Sequence, residues 1–339
     1  MKRHLNTLFI TTEGAWLAKD GAAVDVRVEQ VSRLRVPLHN LEGIVTMGWD
    51  IGMSPQLMQA CAEAGVTVSF CNPYGKFLAA ATGFTPGNVL LRRKQYRVAD
   101  DTAAAVLIAR EMVAAKIANC RTVLLRAHRD HGRGSLETVA RRLAHRAQDA
   151  RACTDLDSLR GIEGDAADSY LGCLNDCMTN TDPAWQMQGR TRRPPLDRLN
   201  CLLSFLYAML AHDCRSALEA CGLDAAVGFL HRDRPGRPGM ALDLMEEFRP
   251  LVAESTVLTA INNRMVTPGH FVRAGDAVNL TPAGRKVFFQ AYEQRMNSLI
   301  THPVFDYRVS YRRVLELQAR ILARHLTGEI PEYLPMVTR

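Results

Sequence analysis

The sequence predicts an α+β protein, with an N-terminal antiparallel β-sandwich-like domain over residues 1–90 and a larger all-α domain over residues 91–339. Three observations point there. Residues 4–83 fall into short runs that alternate apolar with polar side chains. Beyond residue 90 the alternation gives way to apolar positions three and four apart. The chain of 339 residues is 47% hydrophobic and 23% charged, an ordinary balance that can fill two cores.

The expected strands are LNTLFITT, AWLAK, AAVDVRVE, SRLRVPL and GIVTMG, divided by turn signals such as Asp20-Gly21. Val24, Val26 and Val28 share one face and Asp25, Arg27 and Glu29 the other, as in a sheet with one wet side. Ser54, Pro55 and Gly65 read as N-cap, first residue and end of a short helix. VTVSF and GKFLAAATG return to strands, and Pro86-Gly87 marks the exit. No cluster of chemistry-bearing side chains occurs in this half, so its expected role is a scaffold or dimerisation surface.

The second half opens with one long helix or two in succession, from NVLLRRK to LLRAHRD. Leu91, Lys94 and Val98 share an early stripe, and Val106, Ile108, Met112, Ile117, Val123 and Leu124 continue the apolar positions. HGRG at 131–134 interrupts, and Ser135 is the expected cap of the next helix. In LDSLRGIEGDAADSYL, Leu159, Ile162 and Ala166 form a stripe that Tyr170 and Leu171 extend. Gly161 and Gly164 flank Glu163; they suggest close approach to the backbone, beside a carboxylate that must be paired, solvated or ligating. A basic loop, GRTRRPPLDRLN, precedes the helix CLLSFLYAMLAHDCRSALEAC. A small hairpin is expected around 267–284, helices over 285–299 and 304–327, and a tail in PEYLPMVTR.

Composition narrows the function classes. No apolar run nears the roughly 20 residues that span a bilayer, and LFI is too short for a secretory signal, which leaves a cytoplasmic protein with no membrane partner as the expectation. Nine cysteines without a CxxC argue for buried thiols rather than a disulfide framework or structural zinc. Cys173 and Cys177, four apart, would share a helix face. The net charge is +7, and residues 91–150 hold the whole excess, with thirteen basic against six acidic side chains. Arg92, Arg93, Lys94 and Arg97 form the head of that block, and Arg142 and Arg146 lie near its end. Such clustering suits a polyanionic partner, although it also suits a solvated helix face.

Chemistry concentrates in GFLHRDRPGRPGMALDLMEEFRP, residues 228–250. His231 stands among Arg232, Arg234 and Arg237, and an acidic turn follows with Asp243, Glu246 and Glu247. Carboxylates with an imidazole suit a hard divalent cation, and guanidinium groups suit a phosphodiester. Asp243 and Glu246 share a helix face, whereas Glu247 turns slightly away. Arg190, Arg192 and Arg193 could meet phosphates or remain solvated loop charges.

RGIEGDAADSY, GRTRRPPLDRLNCLLSFL and GLDAAVGFLHRDRPGRPGMALDLMEEFRP occur in that order, below LNTLFITT, VPLHNLEGIV and GNVLLRRKQYR. Over nearly its whole length the chain resembles the CRISPR-associated integrase family of the spacer-acquisition machinery, by texture the type I-C members. The resemblance implies an N-terminal β-domain, a C-terminal helical catalytic domain, homodimers and a small ferredoxin-like companion subunit. It also implies a metal site of Glu163, His231 and Glu246 holding Mg2+ or Mn2+, with Asp243 as an assisting carboxylate that orients the imidazole. The implied reaction joins the 3′-hydroxyl of a captured DNA fragment to a phosphodiester in a CRISPR array, with nicking of branched DNA as a side activity. Double-stranded and branched DNA would lie on the basic block, on Arg190, Arg192 and Arg193, and on Arg232, Arg234 and Arg237. The family pattern would place a proline near Ala225 and a serine near Gly239; this chain has neither. Two other readings are a non-catalytic DNA-binding scaffold of the same fold and a stand-alone structure-specific nuclease.

Overall fold

In the computed structural model, which describes residues 6–73, 77–81, 83 and 89–338, the alternating runs of the first half become β1 (Asn6–Ile10), β2 (Ala15–Asp20), β3 (Ala23–Val28), β4 (Val31–Pro37), β5 (Leu41–Met47), β6 (Gly52–Met53), β7 (Thr67–Cys71) and β8 (Phe77–Ala81). One sheet has the order β1-β5-β7-β8 and the other β4-β3-β2-β6. They are mixed, not antiparallel throughout: β1 runs parallel to β5, β5 to β7 and β2 to β6. The reason lies in the connections. Helix α1 (Pro55–Ala64) separates β5 from β7, and a crossover of that length returns a strand parallel to its neighbour. Ile10, Leu17, Val24, Ile44, Met53, Leu57 and Val68 draw both sheets and α1 around one core. Ser54 caps α1 and Gly65 ends it in the left-handed conformation, as the sequence suggests. Asp25 departs from the simple alternation: it is buried, and its carboxylate accepts from Ser32 Oγ at 2.6 Å and Arg27 Nε at 2.7 Å. The expected exit turn at Pro86-Gly87 lies outside the described residues.

The chain divides into two compact units, Met1–Pro86 and Gly87–Arg339. In the second, the long helical run is two helices, α2 (Val89–Asp100) and α3 (Thr102–His131). Asp101 separates them, its carboxylate accepting from Ala103 N and Ala104 N at 3.0 and 3.2 Å. Further helices are α4 (Gly134–Ala152), α5 (Leu156–Gly172), α6 (Arg198–Ala220), α7 (Gly239–Phe248) and α8 (Ser255–Asn262). Helix α4 begins at Gly134 without a side-chain cap, so Ser135 sits inside its first turn and reaches Asp176 instead. A π-helical turn, Arg249–Glu254, links α7 to α8; Pro250 has no amide to continue the α ladder.

The unit is not wholly helical. A hairpin of β9 (Phe271–Ala274) and β10 (Ala277–Leu280) falls within the expected range, and a ribbon of β11 (Leu299–Thr301) and β12 (Arg308–Ser310) was not foreseen. Helix α9 covers Pro282–Asn297, and α10 covers Tyr311–Thr327, starting seven residues later than expected because Ser310 caps it. Helix α3 is the centre of the unit and packs against α4, α5 and α7. Its middle, Met112–Ala115, is fully buried on every side, as befits a helix surrounded by others.

All nine cysteines are free and seven are buried. Cys173 ends α5 and Cys177 lies in the following 3-10 turn, so they do not share one helix face. Burial raises the Cys177 thiol to about 12. No helix among the described residues is long and apolar enough to cross a membrane.

Residues 331–338 are not a free tail. Tyr333 and Met336 are buried; Tyr333 Oη donates to Glu247 at 2.5 Å, and Met336 N donates to the same carboxylate at 2.7 Å. Asn119 of α3 donates to Met336 O at 2.8 Å and accepts from Thr338 N at 3.0 Å. Burial pushes the Glu247 carboxyl up, its three hydrogen-bond donors only partly offset that, and the result is about 8. A raised carboxyl pKa means that the folded chain keeps a proton which the unfolded chain releases. This contribution is complete below the usual Glu range and is lost as pH rises toward 8, with a slope of up to about 1.4 kcal/mol per pH unit. Urea midpoints measured from pH 5 to 8.5 should therefore fall with pH for the wild type and fall less for Glu247→Gln. Identical slopes would rule out this origin.

Candidate active site

Glu163 lies on α5 and Glu246 on α7, and both helices pack against α3. Lys116 of α3 stands between them: its ammonium contacts Glu163 Oε1 and, at 2.5 Å, Glu246 Oε2. Lys116 is 3% exposed and Glu246 is 4% exposed. The Glu163 side chain keeps 26% of its surface open. Arg249, one turn beyond Glu246, donates to both of its oxygens at 3.2 Å. Burial alone would raise the Glu246 carboxyl, but Arg249, Lys116 and His231 more than offset it and hold it at about 2. Arg249 also lies 4.2 Å from the Tyr207 ring centroid, and Tyr207 donates to Glu254 at 2.5 Å, so the π-helical turn is tied to α6.

His231 enters from the loop before α7. Asp243, fully buried on α7, gathers that loop: Oδ2 accepts from Phe229 N at 2.5 Å and Leu230 N at 2.9 Å, and Oδ1 accepts from His231 N at 3.0 Å. Oδ1 also lies 2.6 Å from His231 Nδ1. A carboxylate can only accept, so Nδ1 carries a proton, and in the neutral ring it is Nε2 that keeps the lone pair. Two glycines permit the close wrap. A Cβ on Gly228 would stand 2.7 Å from Asp243 Oδ2, and one on Gly239 would stand 2.7 Å from Ala226 O, where a serine would collide. Arg160 clips the loop to α5, its Nε and Nη2 donating to Leu230 O at 3.0 and 2.7 Å.

Glu163 and Glu246 thus meet on Lys116, and His231 is held by Asp243, which lies on the same helix as Glu246; Glu247 turns instead to Tyr333 and Met336. Among the described residues no three His, Cys, Asp or Glu side chains stand ready-made around a metal position. The donor set is of the kind a divalent ion takes: two carboxylates already share one cation, and His231, which acts electrostatically on Glu246, supplies an imidazole. The expectation attached to Gly161 and Gly164 changes in character. Both sit in regular helix, and a Cβ on either meets no described atom within 4 Å, so that flank of Glu163 is open.

The arginines sort into distinct groups. Arg93, Arg97, Arg192, Arg193 and Arg234 are exposed. Arg92 is part-buried and donates to Gly222 O at 3.2 Å. Arg142 and Arg146 share Asp165 at 2.6 and 2.8 Å, and Arg232 pairs with Asp157 at 2.5 Å. Arg190 is turned inward to Asn200 at 2.7 Å and Ser204 at 3.0 Å, because the loop folds back on the start of α6. His231, Arg160 and Arg232 line a cleft of about 410 Å3, whereas Arg234 and Arg237 line another of about 490 Å3. The three arginines after His231 therefore do not act on one place.

Sequence reasoning missed Lys116, Arg160 and Arg249. Lys116 had a visible signal, a single ammonium in the apolar run VAAKIAN. Arg160 and Arg249 each stand three residues from a proposed ligand, one helical turn away.

A family model described as CRISPR associated protein Cas1 matches residues 8–294. The CRISPR-associated endonuclease Cas1 1 of Chlorobaculum tepidum is 44% identical over 344 residues and covers 100% of both chains. The CRISPR-associated endonuclease Cas1 2 of Rhodospirillum rubrum is 44% identical and covers 99% of each. The fold is similar to that of a Cas1 protein from Thermotoga maritima, with a TM-score of 0.82, 23% identity and coverage of 98% of this chain and 100% of that one. Matched by the family model over most of its length, and with relatives similar from end to end, the chain belongs to the Cas1 family of CRISPR-associated proteins.

Proposed function

We propose that the chain is the integrase and endonuclease of a CRISPR adaptation module, joining 3′-hydroxyl ends of captured DNA to phosphodiesters of the array. The observation that carries the reading is the meeting of Glu163 and Glu246, from different helices, on one cation beside an imidazole oriented by Asp243. Glu163, His231 and Glu246 would hold a Mg2+ or Mn2+ ion, which supplies Lewis-acid activation of a hydroxyl and of a phosphoryl group. Asp243 fixes the imidazole so that Nε2 is the ligating nitrogen. Glu246 is closed in and Glu163 and His231 are partly open, so DNA approaches from the side of α5 and the His231 loop.

On this reading the exposed Arg93, Arg97, Arg192, Arg193 and Arg234 meet phosphates of double-stranded or branched DNA without reading sequence. The first unit serves as the dimerisation scaffold of a homodimer, and a small ferredoxin-like subunit is the companion. A cytoplasmic type I-C system is the setting that the sequence texture suggests. The test combines the protein, its companion, a duplex with free 3′ ends and a plasmid bearing a repeat, with Mn2+. Glu163→Ala should lose at least 100-fold in strand joining, the order expected for removal of a direct metal ligand. Equal rates for wild type and variant would instead support a non-catalytic scaffold, and cleavage without the companion or any joined product a stand-alone nuclease.

A further inference from the structure

Lys116 is a charge that the proposed chemistry does not use. It is carried by the central helix α3 between Ala115 and Ile117, both fully enclosed, and its ammonium reaches the carboxylates of Glu163 and Glu246. An ammonium enclosed this far must be paired, and two carboxylates this close need a cation between them. Each side of the contact therefore explains the other. Arg249 neutralises Glu246 from the next turn, so the two carboxylates are already balanced by two fixed positive groups. A divalent ion added to that balanced set would face two positive neighbours in a poorly solvated place. Arg249 is held by Glu246, Glu254 and the Tyr207 ring. Lys116 has only a flexible four-carbon stem to move, and it occupies the space between the ligands.

We propose that Lys116 is an internal counter-ion of the metal-free protein, holding Glu163 and Glu246 within reach of one cation and leaving its position when a divalent ion binds. It is a positioning residue with two opposed effects. It keeps α5 and α7 from being pushed apart by like charges, and it competes with the metal for the same oxygens. Lysine suits both tasks, because a point charge on a mobile stem can withdraw where a forked guanidinium could not. The inference rests on the metal-centre reading above.

The test uses the whole, metal-stripped chain without DNA. Mn2+ is titrated by calorimetry into wild type, Lys116→Met and Glu246→Gln, with thermal midpoints recorded before and after. Lys116→Met should melt below wild type without metal, bind Mn2+ at least tenfold more tightly, and gain more from Mn2+ on melting. Unchanged or weaker binding by a folded Lys116→Met overturns the inference, provided Glu246→Gln has lost binding. If Glu246→Gln binds Mn2+ like wild type, the metal centre itself is wrong. A second measurement needs no variant. An amine-acylating reagent, followed by peptide mass spectrometry, should modify Lys116 slowly in stripped wild type and several-fold faster with saturating Mg2+. Equal or slower modification with Mg2+ overturns the displacement even where Lys116→Met fails to fold.

Discussion

His231→Ala is expected to slow DNA-end joining by roughly 1,000-fold, or about 4 kcal/mol of barrier, with little change in folding stability. The two halves of that expectation have separate causes. The imidazole contributes the only nitrogen of the proposed ligand set, and its Nε2 points away from Asp243, so nothing else on the loop replaces it. Its side chain is 20% exposed, and its removal leaves Asp243 with all three backbone donors. Single-turnover joining at saturating Mn2+, with thermal melts in parallel, checks both. A variant that folds normally and joins within tenfold of wild type would exclude His231 from the chemistry.

Asp243→Ala should be the most damaging single change to stability, at about 3–5 kcal/mol. The truncation strips acceptors from three consecutive amides and from the imidazole, and the site is closed to replacement solvent because Asp243 is fully buried. The same loss frees the His231 ring, so metal affinity should fall by about 10–100-fold in whatever fraction remains folded. Asp243→Asn is milder in shape but presents an amide N–H toward at least one donor. Urea unfolding at constant slope measures the cost. A shift below about 1 kcal/mol for Asp243→Ala would mean that the loop is held by something other than this carboxylate.

Much of the arrangement could be read from the chain because it rests on local rules. Ser54, Pro55 and Gly65 mark a helix by chemistry that needs no tertiary context. Asp243 and Glu246 share a face because three residues are nearly one turn, and Glu247 is turned to Tyr333 for the same reason. The resemblance supplied the pairing of Glu163 with His231 and Glu246, which spacing alone cannot give. What stayed hidden depends on partners far along the chain. Strand direction in the first unit follows from where the chain crosses, not from alternation, so β1, β5 and β7 defeated an antiparallel reading. Arg190 looks like its neighbours Arg192 and Arg193 in sequence, yet Asn200 and Ser204 claim it. Lys116 was passed over because a helix stripe records apolar positions, and a buried charge within one is visible only through its partners.

The segment holding Tyr333 and Met336 bears on how the protein is made. Asn119, near the middle of the longest helix, and Glu247, beside a proposed ligand, both wait for atoms more than eighty positions further along. During translation the helix carrying Asp243 and Glu246 can therefore fold early, but its rear contacts close only after residues 333–338 clear the ribosome. Until then Glu247 lacks the donors of Tyr333 and Met336 and keeps only Gln318, and Asn119 keeps only the Glu247 carbonyl, so a nascent chain stalled short of Tyr333 would present the catalytic helix to chaperones and proteases with its back partly unsealed.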